Sequence, residues 1–354
     1  MKNLYGVLAL WYCAALLAGC GGFGDALSPT SVVSNAAQSH PNHSGADALS
    51  LQSSLRHLYV ADYNKVLVFT PGKTSPFRTI GNGVEYPIAL AFDRSGDLYV
   101  GNCGTFIHYT CSGSTVTVYG RNGNTLLRTI SQGVNNPDAL ALDGKGNLYV
   151  ANLRANTVSV YAQGSSKLLR TISKGINGPH ALAVGSTGSL FVANYYGKTV
   201  TVYAAGSSTL TRTISQGIVD PTALIFGPSG YLYVADSGDY YGNSVTVYPP
   251  GGDKPKQTIY QGMSSPWALS FDKSGNFYVA NEYGNTVTVY GPGTRPLIRT
   301  ISQGVNDPTS LAVDESGTVY VANQGGSAVV TVYAPGNDKP LHRLTYGSTL
   351  LLGP

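Results

Sequence analysis

Short hydrophobic runs, separated by turns rich in Gly, Asn or Ser, recur along most of this 354-residue chain. None of these runs sustains the period of about 3.6 residues that an amphipathic helix requires. The unit between Pro137 and Pro179 shows the pattern in full. It contains four runs with strand character, which are Ala139–Leu142, Leu148–Asn152, Thr157–Tyr161 and Leu168–Ile172.

The second run of this unit, Leu-Tyr-Val-Ala or a close variant, marks a repeat. It begins at Leu58, Leu98, Leu148, Leu190, Leu232, Phe277 and Val319. Repeats of about 40–45 residues with four strands each are typical of β-propeller blades. The sequence therefore predicts an all-β protein, a seven-bladed β-propeller of four-stranded antiparallel blades.

The residue types within each unit agree with this architecture. A blade is covered by a neighbour on each face, so its strands can be apolar on both sides. Buried Tyr hydroxyls then need partners, because an unpaired one costs about 1–3 kcal/mol. A Gly in the turn between the first two strands predicts a left-handed residue there, and a Pro precedes each first strand, where no ladder N–H is lost.

The unit P-x-x-L-A-x-D-x-x-G-x-L-Y-V-A-[DN]…V-x-V-[YF] resembles the NHL-repeat family of propellers, from about Asp47 to Tyr346. NHL units carry an Arg before the third strand, whereas this chain has Thr or Ser there, as at Thr157 and Ser244. The resemblance implies a binding scaffold, although propellers with similar blades include lactonases and lyases. A shared fold does not decide between these functions.

The first twenty residues have the pattern of an export signal. Lys2 precedes an apolar run, Leu4–Leu17, that is too short for a spanning helix. The segment Leu17-Ala-Gly-Cys20 resembles the bacterial lipoprotein box, which implies that Cys20 is lipidated and becomes the N-terminus; an ordinary signal peptide is the alternative. We therefore expect an exported protein, lipid-anchored in the bacterial cell envelope, and in the outer membrane of a cell that has one.

Three segments follow from this reading. Residues 1–20 are the lipoprotein signal peptide, residues 21–46 are a small, polar, flexible tether, and residues 47–354 form the propeller. Two segments compete to supply the innermost strand of blade 1. Asp47–Leu51 matches Asp138–Leu142, and the rival is Ser348–Leu352. Spacing favours the N-terminal segment, because the interval from Arg128 to Leu140, counted from Arg343, runs past the end of the chain.

Cys103 and Cys111 lie in the long second-to-third-strand loop of blade 2. In an exported protein they are expected to form a disulfide. A catalytic Cys–His pair with His108 is the alternative. The Arg residues of the fourth strands are expected to keep an exposed sheet edge soluble.

Irregular loops occur on one face of the predicted propeller, which we call the variable face. It carries the second-to-third-strand turns and the connections between blades, and such loops usually carry binding residues. On this face the residue after each repeat Pro changes chemistry from blade to blade. These positions hold Ile88, Asp138, His180, Thr222, Trp267 and Thr309, with Asp47 as the equivalent in blade 1.

Several side chains of the variable face are candidates for ligand contacts. Asp138 and His180 form a potential acid–base pair, and a solvated His without a role is the alternative. Aromatic side chains suit a carbohydrate or peptide ligand, or simply pack the loops together. The candidate binding residues are Asp138, His180, Trp267, Tyr195, Tyr196, Tyr240 and Tyr241. The Asn or Asp that ends each second strand is interpreted as a local loop cap, with a ring of metal ligands as the alternative.

Two functions remain open at this point. The first is a cell-envelope lipoprotein whose propeller is a binding scaffold for a protein, peptide or carbohydrate, with no cofactor. The second is a metal-dependent lactonase-like hydrolase or lyase, with His180 as the base and Asp236, Asn281 and Glu282 as ligands of a divalent cation. The net charge of +4 shows no basic footprint for nucleic acid. We expect a monomer.

Overall fold

The structure is a computed structural model that describes residues 56–353, except 108–109, 122, 124, 239–241, 294, 326–328 and 346. The signal peptide with Cys20 and the tether lie outside the described residues. Within them the chain is all-β and forms seven four-stranded antiparallel sheets and one two-stranded hairpin, which confirms the predicted seven-bladed β-propeller. No helix in this part of the chain is long and apolar enough to cross a membrane.

The first three blades are regular except for a small hairpin inserted in blade 2. Blade 1 contains β1 (His57–Asp62), β2 (Lys65–Phe69) and β3 (Arg78–Ile80). Blade 2 contains β4 (Pro87–Phe92), β5 (Leu98–Asn102), the hairpin β6 (Thr105–Ile107) and β7 (Thr110–Ser112), then β8 (Thr115–Tyr119) and β9 (Leu126–Ile130). Blade 3 contains β10 (Pro137–Leu142), β11 (Leu148–Asn152), β12 (Thr157–Tyr161) and β13 (Leu168–Ile172).

The remaining blades repeat the four-strand order. Blade 4 contains β14 (Pro179–Val184), β15 (Leu190–Asn194), β16 (Thr199–Tyr203) and β17 (Leu210–Ile214). Blade 5 contains β18 (Pro221–Phe226), β19 (Leu232–Gly238), β20 (Gly242–Tyr248) and β21 (Gln257–Ile259). Blade 6 contains β22 (Pro266–Phe271), β23 (Phe277–Asn281), β24 (Thr286–Tyr290) and β25 (Leu297–Ile301). Blade 7 contains β26 (Pro308–Val313), β27 (Val319–Asn323), β28 (Val329–Tyr333) and β29 (Pro340–Thr345), and β30 (Thr349–Gly353) ends the chain.

The C-terminal strand β30 closes the ring. It pairs antiparallel with β1 as the innermost strand of blade 1, with Leu350 opposite Val60. It also contacts the innermost strands of blades 7 and 2, β26 and β4. Gly353 allows the backbone to approach blade 2 closely, since a Cβ there would lie 2.2 Å from the Phe92 ring.

The expectation that Asp47–Leu51 supplies this strand is wrong. The rival segment at the C-terminus occupies the place, because the last connection is shorter than the others. Leu350 is the counterpart of Leu140, yet it lies only seven positions after Arg343, against twelve from Arg128 to Leu140. The Pro-containing connection that leads into the other innermost strands is replaced by a few residues ending at Ser348.

Burial explains the composition of the strands. The second strand of a regular blade, such as β11, is buried along its whole length, as expected for a sheet covered on both faces. The third-strand Tyr hydroxyls find the partners that burial requires. Tyr161 donates to the Gln132 carbonyl at 2.5 Å, and Tyr203 donates to that of Lys174 at 2.6 Å. The turn glycines between first and second strands are left-handed, as predicted, with Gly146 at φ 79°.

Second-strand tyrosines have a different partner. Tyr149 donates to the Asp143 carboxylate at 3.2 Å, and in blade 2 the fourth-strand Arg128 donates to the Tyr99 hydroxyl at 2.9 Å. The Arg128 side chain is therefore half-buried against its own blade, whereas Arg343 of blade 7 is exposed. For Arg128 this differs from the expectation of an exposed solubilising edge, because its guanidinium donates to the buried Tyr99 hydroxyl.

Candidate binding site

Seven residues at the start of the innermost strands surround the propeller axis on the variable face. We call them the axial ring; they are Ile88, Asp138, His180, Thr222, Trp267, Thr309 and Ser348. Ser348 takes the place expected for Asp47, because β30 and not Asp47–Leu51 is the innermost strand of blade 1.

A β-bulge places most of the axial ring. In blade 3, Pro137 pairs with Asn152 and Ala139 with Ala151, so Asp138 lies between two successive pairs with no partner in the ladder. The same register shift occurs at His180 in blade 4 and at Trp267 in blade 6. Bulges redirect side chains. The sequence shows these positions as variable, but the bulge that releases them from the strand register is visible only in the pairing.

Within the axial ring, His180 is buried and has neighbours on both sides. Its Nδ1 lies 2.9 Å from the carbonyl oxygen of Thr222, and a carbonyl only accepts, so Nδ1 carries the hydrogen. Nε2 lies 3.7 Å from Oδ2 of Asp138, beyond hydrogen-bond distance. Burial lowers the pKa of His180 to about 4, and the hydrogen bond to Thr222 opposes this shift. The ring is therefore neutral at pH 7, with Nε2 as its acceptor nitrogen.

Thr222 connects His180 to Trp267. Its hydroxyl donates to the Pro266 carbonyl at 2.7 Å, directly before Trp267. The Trp267 and His180 rings then meet edge to face, with centroids 5.3 Å apart at 90°. The structure thus brings together Asp138, His180 and Trp267 from blades 3, 4 and 6, as predicted from their common place in the repeat.

Trp267 carries an unsatisfied donor. Its Nε1 is buried and has no hydrogen-bond partner in the structure. An unmet buried donor costs about 1–3 kcal/mol, so a group that accepts from it is favoured. Because Nε1 is closed to solvent, an oxygen of a ligand at the axial ring would meet this requirement after a small movement of the side chains around it.

Two tyrosines extend the site toward solvent. The Tyr195 ring lies 5.5 Å from His180, and Tyr196 packs against Tyr195 at 5.4 Å and 80°. Tyr196 is 59% exposed. Tyr240 and Tyr241 lie outside the described residues, so their place relative to this cluster remains a prediction.

The proposed metal ligands serve other purposes in the structure. Asn281 Oδ1 accepts from the Ser264 N–H at 3.2 Å, and its amide nitrogen faces the Thr286 and Thr288 hydroxyls. Glu282 accepts from the Ser265 hydroxyl at 3.2 Å. Asp236 is buried, with burial raising its pKa to about 8.

These surroundings do not suit a divalent cation, which requires several ionised or carbonyl oxygens directed at one point. Across the described residues, no group of three or more His, Cys, Asp and Glu side chains is arranged to hold a metal ion.

In blades 2 to 7, the Asn or Asp that ends the second strand is a loop cap, as predicted. In blade 3, Asn152 Oδ1 accepts from the Asn135 N–H at 2.9 Å, and Asn194 does the same for Asn177 in blade 4 at 3.1 Å. The same bond forms in blades 2, 5, 6 and 7. These side chains hold the connection that leads into the axial ring.

The predicted disulfide between Cys103 and Cys111 is present in the structure, with Cα atoms 4.9 Å apart. It closes the small hairpin β6–β7, which is inserted between the second and third strands of blade 2. A disulfide sulfur is not a nucleophilic thiolate. The alternative of a Cys–His pair with His108, which lies outside the described residues, is therefore not the arrangement found.

Comparison with known proteins supports the fold. No family model and no curated protein matches this chain. A solved structure named as a candidate 6-phosphogluconolactonase, from Bacteroides uniformis, is 15% identical with a TM-score of 0.69, covering 84% of this chain and 99% of its own. A protein of the same description from Bacteroides fragilis is 16% identical with a TM-score of 0.68, covering 86% and 99%. Virginiamycin B lyase from Staphylococcus aureus is 11% identical with a TM-score of 0.59, covering 74% and 84%.

Proposed function

We propose that this protein is a cell-envelope lipoprotein whose NHL-like propeller binds a peptide or carbohydrate at the axial ring. The observation that carries this proposal is the convergence of Asp138, His180 and Trp267 from three blades, next to a buried indole N–H that lacks an acceptor. A ligand oxygen would satisfy that donor, and Tyr195 and Tyr196 add aromatic surface for stacking.

The state of His180 favours binding over catalysis. A general base works best with a pKa near the operating pH. Burial holds the pKa of His180 near 4, so the ring is a weak base at pH 7. A neutral imidazole is nevertheless a good hydrogen-bond acceptor, which suits recognition of a ligand hydroxyl or amide N–H.

A lactonase-like hydrolase or a lyase is the second candidate function. It is supported by the names of the fold neighbours, two described as lactonases and one as a lyase. Their identity to this chain is at most 16%, which is a likeness of fold. His180, oriented by Thr222, would be the base in this function.

The proposed location at the cell envelope depends on the N-terminal signal with Cys20. Cys20 would hold the protein on the outside of a bacterial membrane through its acyl chains, and the tether would present the propeller as a monomer to extracellular ligands. Export and the modest charge argue against nucleic acid as a partner.

One experiment separates the two functions. The purified protein is screened against peptide and oligosaccharide libraries by calorimetry, and against a panel of lactones for turnover. Trp267→Ala and His180→Ala are compared with Lys145→Ala, a surface change on the opposite face. Loss of binding with Trp267→Ala, while Lys145→Ala binds normally, supports the binder. Turnover lost with His180→Ala supports the enzyme, and equal behaviour of all three variants would place the site elsewhere.

A further inference from the structure

Three aromatic side chains form a row at the border of blades 1 and 2, and none of them belongs to the axial ring. Tyr63 lies in the turn between β1 and β2 and is 76% exposed. Its ring meets that of Tyr86 edge to face, with centroids 5.7 Å apart at 73°. Tyr86 in turn stacks on Phe106 of the hairpin β6–β7, at 4.9 Å and 11°. We call these three residues the aromatic row.

Tyr86 occupies a backbone position that suits small residues. It directly precedes the repeat Pro, and its φ is 49°, in the left-handed region. Other blades place Asn136, Gly178, Ser265 or Asp307 there. Left-handed backbone costs an ordinary side chain roughly 1–2 kcal/mol. Blade 2 accepts this strain for a large aromatic ring, and strain of this kind is concentrated at functional positions.

Backbone hydrogen bonds and the disulfide hold the segments that carry the aromatic row. The Tyr86 N–H donates to the Tyr63 carbonyl at 2.8 Å, and the Cys103 N–H donates to the Tyr86 carbonyl at 2.9 Å. Phe106 belongs to the hairpin that the Cys103–Cys111 disulfide closes. The backbone of Tyr63 is therefore tied to that of Tyr86, and its ring packs against the Tyr86 ring while most of it faces solvent. A rigid aromatic loses little conformational entropy when a ligand stacks on it.

The polar groups beside the row indicate the class of ligand. The Glu85 carboxylate lies next to Tyr86 in sequence and accepts from the exposed Thr105 hydroxyl at 3.3 Å. Burial, together with the nearby Tyr63 phenol, raises the pKa of Tyr86, so the Tyr86 phenol is a neutral hydroxyl at pH 7. A carboxylate only accepts hydrogen bonds, which favours a ligand rich in donors. A sugar offers hydroxyl donors around an apolar C–H face, whereas a proline-rich peptide offers mainly carbonyl acceptors.

We propose that the aromatic row is a carbohydrate-binding subsite in which Tyr63 stacks against a pyranose ring and Glu85 accepts from its hydroxyls. Tyr86 and Phe106 position Tyr63 and do not need to touch the sugar. The subsite shares no residue with the axial ring, so it does not depend on the function proposed there.

The test uses the purified full chain on an array of neutral and acidic oligosaccharides, with proline-rich peptides printed beside them. We expect glycan binding that Tyr63→Ala weakens about tenfold or more, and that Tyr63→Phe changes less than about threefold, because stacking needs the ring and not the hydroxyl. Phe106→Ala should weaken binding by an intermediate factor through loss of support. Phe77→Ala removes an exposed aromatic from the third-to-fourth-strand turn on the opposite face and should bind as wild type.

Trp267→Ala on the same array separates this subsite from the axial ring. Binding lost with Tyr63→Ala and kept with Trp267→Ala supports the proposal, whatever the axial ring proves to do. Binding lost only with Trp267→Ala overturns it and leaves the axial-ring function in place. Binding to proline-rich peptides alone, or no glycan binding by the wild type, also overturns it.

Discussion

Asp236 accepts a hydrogen bond from the Val219 N–H through Oδ1, at 3.0 Å, while its Oδ2 is buried without any partner. In the neighbouring blade the same position is Asn194, whose amide nitrogen donates to the Thr201 hydroxyl at 3.0 Å. The corresponding hydroxyl in blade 5, that of Thr246, already donates to the Gly217 carbonyl. It cannot also donate to Asp236, and Oδ2 has no other donor, which favours a proton on that oxygen.

The surroundings of Asp236 also favour its protonated form. Burial is the main cause that raises its pKa to about 8, the nearby Asp220 carboxylate adds to the shift, and the Val219 hydrogen bond opposes it. Asp220 is itself paired with Lys198 at 3.5 Å. Asp236 is thus a carboxylic acid that substitutes for the amide of the other blades.

Asp236→Asn is therefore expected to stabilise the protein. The unfolded carboxyl ionises above a pH of about 4, but the folded one does so only near 8, so wild-type stability falls as pH rises through this window. Asn does not titrate, and its amide restores the missing donor. We expect a gain of about 1–3 kcal/mol in the free energy of unfolding at pH 8 and a smaller gain at pH 5. Urea unfolding at both pH values measures it.

Asp62→Asn is the matched control, since Asp62 ends the second strand of blade 1 but is partly exposed and paired with Lys65. It should give no pH-dependent gain. Equal gains from Asp236→Asn at pH 5 and pH 8 would contradict a protonated Asp236.

His180 should make the stability of the folded protein depend on pH in the opposite direction, at low pH. Its folded pKa, near 4, lies below the unfolded value of about 6.5. Protons therefore bind the unfolded state preferentially, and stability falls as pH drops from about 6.5 to 4. His180→Gln should flatten this part of the melting-temperature profile. His342→Gln, on a more exposed strand, should change it less. A wild-type slope that persists in His180→Gln would exclude His180 as its cause.

The closing strand makes a prediction about stability. Leu350 is buried between blades, so Leu350→Ala should lower the free energy of unfolding by about 2–5 kcal/mol. Leu341→Ala, of the same chemistry but 59% exposed, should cost little. Deleting residues 47–51 should leave the unfolding transition in place. If that deletion is as damaging as Leu350→Ala, the N-terminal segment contributes to the ring after all.

Removing the disulfide should affect the stability of the protein only slightly. Peptide mass spectrometry without reduction should show one Cys103–Cys111 bridge. Because the closed loop is short, its loss should cost at most about 2–3 kcal/mol, and Cys103→Ser with Cys111→Ser should still fold. Free thiols at both positions in protein isolated from the envelope would show that the bridge does not form there.

Lipidation at Cys20 predicts where the protein is found. Cys20→Ala should release it from the membrane fraction or block processing, because no acyl chain can then be attached. Labelling with a fatty-acid analogue followed by fractionation measures both effects. Ser31→Ala, in the tether and outside the signal, serves as a control that keeps the Cys. The anchor hypothesis fails if Cys20→Ala fractionates and migrates as the wild type does.

The sequence by itself determined the number of blades, because the marker beginning at Leu58 and recurring to Val319 reflects strand and turn chemistry within each blade. Local chemistry also sufficed for the left-handed turn glycines, for the disulfide between two nearby Cys, and for the common place of Asp138, His180 and Trp267 in the repeat. Only the tertiary structure decided which end closes the ring, which His180 nitrogen carries the hydrogen, and why Asp236 stays protonated. Each of these depends on the pairing of segments far apart in the chain, such as β30 with β1 or His180 with Thr222. Such pairings follow from connection lengths, bulges and burial, which a repeating local pattern does not record.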